Sequence, residues 1–432
     1  MNGIIPGQPV RIMNILMLTN VYTPLVGGVT RSIQTFVQGL RERGHRVLIV
    51  APLARGQPDP DDEVDVIRYP AIPEFYLHKY SLPLPIPGFL MTQLADFQPD
   101  VIHSHHPFLL GQSAKRGAAL WNVPLVYTHH TQYEKYIGEE TEYQKRLSLL
   151  VSELLNAYLK VCDGVIAPSQ SIADRLAADV HSPLEVIPTG VSLQRYGAGD
   201  GAAVRRRLGI PDGAFVAGHL GRLSPEKNCP FLAAAVFTFL QRHPLARFLL
   251  VGDGPSREVF EDAAERFGCS DRLHLTGMLD GEDVVEAYHA MDVFAFASHS
   301  ETQGMVLAEA LASGLPVVAV DASGVRDIVE DGRNGRLLPE DDVERFAGAL
   351  AEVAALDRAG RERLIGQARE TATHFAIERS VDRVEQLYHR VVAARTGGED
   401  GMLDRSLTFL EHEWNAWGAM ARALGQAVFA AP

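Results

Sequence analysis

Short apolar runs ending in polar residues alternate with helical stretches along this chain, and the rhythm is played twice. "RIMNILMLT" (11–19) reads as a buried strand. In "GGVTRSIQTFVQGLRERGH" (27–45), Val29, Ile33, Phe36, Val37 and Leu40 recur at helical spacing and Gly44 closes the helix. "RVLIVAP" (46–52) is a second strand, which makes a parallel strand-helix-strand unit with a right-handed crossover. "PDVIHSHH", "VPLVYTHH", "CDGVIAPS" and "LEVIPTG" continue as strands, with residues 139–161 helical among them. After a polar, Gly-rich passage at 197–213 the pattern restarts in "GAFVAGHLGRL" and runs through "ARFLLVGDG", "RLHLTGML", "DVFAFAS" and "LPVVAV". The expected architecture is α/β: two doubly wound parallel-sheet domains, residues 10–195 and 205–375, joined near 193–213, with a helical extension at 376–432. Ligands of such sheets gather beyond the carboxyl ends of the strands, so a cleft between two facing domains is the expected site.

A length of 432 residues suits more than one core. Acidic residues outnumber basic ones 54 to 40, for a formal charge of −14, which argues against nucleic acid as a partner. Three scattered cysteines, Cys162, Cys229 and Cys269, offer neither zinc spacing nor a disulfide framework, so a reducing cytoplasm is the natural setting. No run of about 18 apolar residues exists to span a bilayer, and the N-terminus lacks a signal-peptide pattern. The chain is expected to be soluble, with at most a peripheral membrane contact. No residue specifies an oligomeric state.

The most informative stretch is "SHSETQGMVLAEALASGLPVVAV" (298–320). A strand runs through a polar loop into a helix whose first amides, about Gly304 to Val306, point outward as unpaired donors backed by the helix dipole. That is a seat for phosphate, and Gly304 lets the backbone come close. Glu309, one turn in, can accept from vicinal hydroxyls, and Glu301 can grip another polyol. The plain alternative is that Glu301 caps the helix and Glu309 is solvated. In "GRLSPEKN", Arg222 and Lys227 stand where two cations could meet a diphosphate, although ordinary exposed charge is the common fate of such residues. Gly27 and Gly28 open another strand-to-helix turn, which is weak evidence. The histidines of "VIHSHHPF" and "VYTHHTQYEKY" suit polar contacts to a sugar better than a metal, since no carboxylates stand at ligand spacing. "DPDDEVD" (59–65) contains Asp-x-Asp but reads as a solvated loop. "GDGPSR" (252–257) imitates a dinucleotide fingerprint with Arg257 in place of its third glycine, so a nicotinamide cofactor is disfavoured.

"GRLSPEKN", "LLVGDGP", "LTGML" and "SETQGMVLAEALASGLPVVA", in this order and spacing, resemble the retaining glycosyltransferases of family 4, over nearly all of residues 12–380. The resemblance implies the GT-B fold of two facing Rossmann-like domains, with the N-terminal one binding the acceptor and the C-terminal one a nucleotide-sugar donor. It implies that Arg222 and Lys227 bind the donor diphosphate, that Glu309 holds the ribose, and that Glu301 with the amides of Gln303, Gly304 and Met305 holds the sugar and phosphates. Gly28 would line the diphosphate, the backbone at Gly277 and Met278 would face the base, and His130 would stand beside the reacting centre. It also implies transfer with retention, no cofactor and no metal.

The acceptor is read from "HTQYEKY" (130–136) and the "SETQG" form of the glutamate block, which look like the diacylglycerol glycosyltransferases of this family. His105, His130, Tyr133 and Tyr136 are the acceptor-side candidates. The loop "EFYLHKYSLPLPIPGFL" (74–90) suits either a headgroup layer or packing on its own domain. Residues 401–429 are amphipathic, with Trp414 and Trp417 but few cations, and read as a packing or dimer segment rather than an anchor. Three outcomes stay open: hexose transfer from a UDP-sugar to a membrane diglyceride, the same reaction on a soluble sugar, polyol or polysaccharide precursor, and a nucleotide-sugar epimerase or silent binding module. Intact Arg222, Lys227, Glu301 and Glu309 argue against the last.

Overall fold

The computed structural model describes residues 11–25, 27–57, 63–76, 80–84, 93–94, 96–133, 137 and 141–396. They divide into two compact units. The first takes the chain to Pro168, then Ala173–Ile187 and the chain from Val381 onward; the second takes Ser169–Ile172 and Pro188–Ser380. The passage at Ile187/Pro188 lies just ahead of 193–213, whose short helices Leu193–Tyr196 and Gly201–Arg207 belong to the second unit.

In the first unit β1 (Asn14–Leu18), β2 (Arg46–Pro52), β3 (Val66–Tyr69), β6 (Val101–Ser104), β7 (Leu125–Thr128), β8 (Gly164–Ala167) and β9 (Leu184–Val186) form one parallel sheet. β4 (Ala71–Tyr76) and β5 (Tyr80–Pro83) make a separate antiparallel ribbon. The order is β3-β2-β1-β6-β7-β8-β9, so the chain builds outward from β1 and then reverses to the other side. The helix Gly28–Glu42 buries Ile33, Phe36, Val37 and Leu40, the stripe its spacing predicts. The helix Glu142–Leu159 starts at a capping box in which Thr141 and Gln144 satisfy each other's backbone amides.

The second unit repeats the design with β10 (Val216–Leu220), β11 (Arg247–Val251), β12 (Leu273–Gly277), β13 (Val293–Phe296), β14 (Val317–Val320) and β15 (Gly335–Leu338), in the parallel order β12-β11-β10-β13-β14-β15. Alternate residues enter opposite cores. Val216, Leu249, Phe294 and Val317 pack on one face, and Ala217, Phe248, Leu250 and Val318 on the other. Burial on both faces explains why these strands read as continuous apolar runs.

Every expected strand forms. β3 and β15 escape the pattern because each is four residues long with an arginine inside, Arg68 and Arg336, both held by nearby carboxylates. The ribbon β4–β5 tolerates Pro73 and Pro83 because it has no inner strand to pair. The helix Ile377–Thr396 leaves the second unit and continues in the first, where Glu385 accepts from Arg43 and His45 and Tyr388 is fully buried. Among the described residues no helix is long and apolar enough to cross a membrane.

Candidate functional site

Strand order reverses between β10 and β13, and the loops leaving the carboxyl ends of those two strands carry the charged candidates. After β10 the chain passes Arg222 and makes a short 3-10 turn, Pro225–Lys227. After β13 it passes Glu301 and enters the helix Met305–Ala312. Lys227 Nζ donates to Glu301 Oε1 at 2.6 Å, with both side chains largely buried. Residues 74 positions apart in sequence thus meet at one point. An ammonium has three donors, so the pair does not exhaust its capacity for phosphate oxygens. Arg222 is half-exposed on the same loop and pairs with Glu226, which also accepts from Ser224.

Glu301 does not cap the helix. Gly304 is the N-cap at φ +75, and as a glycine it offers no side chain to the first amides there. The approach to that end is held rigid by polar clamps. Gln303 is buried, its Oε1 accepting from the Thr189 amide at 2.7 Å and its Nε2 donating to the Thr189 carbonyl at 2.8 Å. Ser169 Oγ donates to the Thr302 carbonyl at 2.6 Å. The Gln303 side chain is thereby committed to the fold.

Glu309 is not a solvated residue. It is 4% exposed, and Tyr288 Oη donates to its Oε2 at 2.9 Å. Tyr288 escaped sequence reading because it lies 21 positions upstream, on the helix before β13. His219, at the end of β10, was also missed. It is buried and donates from Nδ1 to the Ala295 carbonyl at 3.0 Å, and burial holds its pKa down to about 4. Gly277 sits at φ +72 with exposed Met278 beside it. The Gly-rich "GDGP" turn has a packing reason: a Cβ on Gly252 would lie 1.9 Å from the Gly221 carbonyl oxygen, and one on Gly254 2.2 Å from that of Leu223. These glycines press the β11 loop against the β10 loop, as the Leu223–Asp253 and Ser256–Leu223 backbone bonds record.

In the first unit the histidines gather at the carboxyl ends of β6 and β7. His103, His105, His106 and His129 are buried and His130 is partly exposed. Burial lowers His103 to about 3 and His106 and His129 to about 4, so all three are neutral. His105, expected among the acceptor contacts, is fully buried instead, with its Nδ1 2.9 Å from His130 Nε2. Tyr133 stacks edge-on against Phe108. Gly28 opens its helix and is exposed, with Gly27 as N-cap. Among the described residues no group of three or more His, Cys, Asp or Glu is placed to hold a metal ion. Of the Asp-x-Asp stretch, Glu63 is buried against Arg68 and Asp65 pairs with Arg41. Tyr136, most of the 74–90 loop and the 401–429 segment lie outside the described residues.

The fold is the GT-B type: sucrose-phosphate synthase of Thermosynechococcus elongatus superposes with a TM-score of 0.68 at 23% identity, over 88% of this chain and 99% of that one. A model described as Glycosyltransferase Family 4 matches residues 26–195, and one described as Glycosyl transferases group 1 matches residues 201–371. The chain is 30% identical over 336 residues to the alpha-monoglucosyldiacylglycerol synthase of Acholeplasma laidlawii, covering 75% of this chain and 84% of that protein. It is 32% identical over 346 residues to the GDP-mannose-dependent alpha-mannosyltransferase of Mycobacterium tuberculosis, covering 79% and 88%. The chain belongs to glycosyltransferase family 4 and is a glycosyltransferase.

Proposed function

We propose that the chain moves a hexose from a nucleotide-diphosphate sugar, a UDP-hexose, to a hydroxyl of a membrane diacylglycerol or glycolipid, with retention and without a metal. The carrying observation is the Lys227–Glu301 pair beside the uncapped end of Met305–Ala312, at the β10/β13 reversal. As the anomeric C–O bond breaks, its electron pair passes to a phosphate oxygen. Lys227, Arg222 and the amides of Gly304 and Met305 supply positive charge where that negative charge grows. The acceptor oxygen bonds to the anomeric carbon from the same face, and its proton passes to the departing phosphate. Glu309 would hold the ribose hydroxyls and Glu301 the hexose, with Gly277 and Met278 toward the base and Gly28 along the diphosphate.

The lipid acceptor is supported by the Acholeplasma relative, whose name specifies a diacylglycerol product. Such an acceptor would place the enzyme in the cytoplasm, peripheral on the inner membrane face. A second reading, a GDP-mannose donor, is favoured by the name of the mycobacterial relative. Incubation with labelled UDP-glucose or GDP-mannose, with diacylglycerol liposomes or soluble sugars and with chelator, separates these. Chelator-resistant label in lipid from UDP-glucose alone supports the proposal. Label from GDP-mannose alone replaces the donor, and water-soluble product replaces the acceptor. A donor at 100 times its dissociation constant should also stabilise the fold by about 2.7 kcal/mol.

A further inference from the structure

In the first unit His105 Nδ1 and His130 Nε2 are 2.9 Å apart and their rings are stacked at 5.2 Å. One of the two nitrogens must carry a proton, because two lone pairs at that distance repel. The far side of His105 decides which. His105 is fully buried, and its Nε2 has no hydrogen-bond partner among the described residues. Were the proton on His130 Nε2, a neutral His105 would carry its own on Nε2. That would be a buried N–H without an acceptor, an arrangement folded proteins rarely leave. With the proton on His105 Nδ1, the unmatched group is a lone pair, which is the better tolerated defect. Burial pushes both rings well below the ordinary histidine value, so a doubly protonated ring offers no escape.

We infer that His105 donates from Nδ1 to His130 Nε2 and thereby holds His130 in its Nδ1–H form, a hydrogen-bond donor rather than a base. The inference rests on the place beside the reacting centre that the family resemblance implies for His130, and it makes His105 a positioning residue. The ring of His105 is itself fixed from behind. The His103 ring lies tilted by 34° against it at 4.2 Å, with Nδ1 2.6 Å from Tyr388 Oη and Nε2 2.7 Å from Thr128 Oγ1. With its Nε2 lone pair occupied by His105, His130 in this form cannot take the acceptor's proton, which agrees with delivery of that proton to the departing phosphate.

Two-bond proton–nitrogen correlation on the full chain labelled with nitrogen-15 histidine tests the tautomer without any assay of transfer. The His130 signal, assigned by its loss in His130→Ala, is expected to pair a pyrrole-type Nδ1 with a pyridine-type Nε2. The reverse pairing overturns the inference. In kinetics, His105→Ala is expected to lower kcat roughly 10- to 100-fold, a misplacement effect, with donor KM within about twofold. His105→Asn puts an N–H where Nδ1–H stood and should recover most of the loss, whereas His105→Gln should not. Equal recovery by both overturns the positioning role. Undiminished kcat in His130→Ala would instead remove His130 from the proposed chemistry while leaving the tautomer measurement to stand.

Discussion

The two sheets reverse strand order in the same way, yet they end in opposite chemistry. At the β10/β13 reversal the loops carry full charges that are kept paired: Lys227 with Glu301, and Arg222 with Glu226. At the ends of β6 and β7 the polar groups are imidazoles, and burial strips them of charge. The backbone plan is shared, so the difference comes from where the side chains sit. Cations on loops keep a partner and some solvent. Histidines set at strand ends, inside the sheet's own burial, stay neutral.

Acid is the harshest way to break that contrast. His103, His106 and His129 titrate at about 3, 4 and 4 when folded, and near 6.5 when unfolded. Between those values the unfolded chain binds more protons. Stability therefore falls as the pH drops below about 6.5, by up to about 1.4 kcal/mol per pH unit for each histidine. The second unit has fewer such groups, His219 at about 4 and a lowered His274. Calorimetry from pH 7.5 to pH 5, with hydrogen exchange to assign each transition, should show the first unit losing several kcal/mol more than the second. Parallel loss in both would sink the contrast.

On the charged side, Lys227→Ala is expected to cost about 3 kcal/mol in the transition state, about a hundredfold in kcat, with the circular dichroism unchanged. It also removes the ammonium paired with Glu301, which is only 15% exposed, so the paired variant Lys227→Met with Glu301→Gln should fold at least as well as the single one. Near-normal turnover in Lys227→Ala would remove it from the diphosphate site. Tyr288→Phe should do less and do it differently. It deletes the hydroxyl that donates to buried Glu309, a bond worth about 1.5–3 kcal/mol when the acceptor is charged. If Glu309 grips ribose equally in the ground and transition states, donor KM should rise about tenfold or more while kcat holds. A fall in kcat alone would place Glu309 nearer the reacting bond.

Much of this was legible in the strings themselves. The sheet strands buried on both faces show as apolar runs, and "SETQGMVLAEALA" marks a strand-loop-helix junction that the structure contains. The pairing of Lys227 with Glu301 was not legible, because it depends on β10 and β13 being neighbours across 74 positions. Tyr288 and His219 were missed for the same reason: each is an ordinary residue of its own element until the sheet order brings it to Glu309 or to Ala295. The histidines were visible as a cluster, but neither their burial nor the contact between His105 and His130 was, because both depend on β6 and β7 lying side by side.

The smallest expected effects compare glycines at the two helix mouths. Gly304 holds φ +75, where an L-residue pays about 1–2 kcal/mol, and a Cβ there would sit 3.0 Å from Leu307 Cδ1. Gly304→Ala should therefore destabilise the second unit by about that amount and weaken donor binding as the first amides turn away. Gly27 caps the other mouth at φ −174, extended backbone open to any residue, and a Cβ there meets nothing within 4 Å. Gly27→Ala should be neutral or stabilising by a few tenths of a kcal/mol, since it restricts the unfolded chain. Denaturant melts of the two variants test this directly. Equal losses would break the comparison between the two mouths.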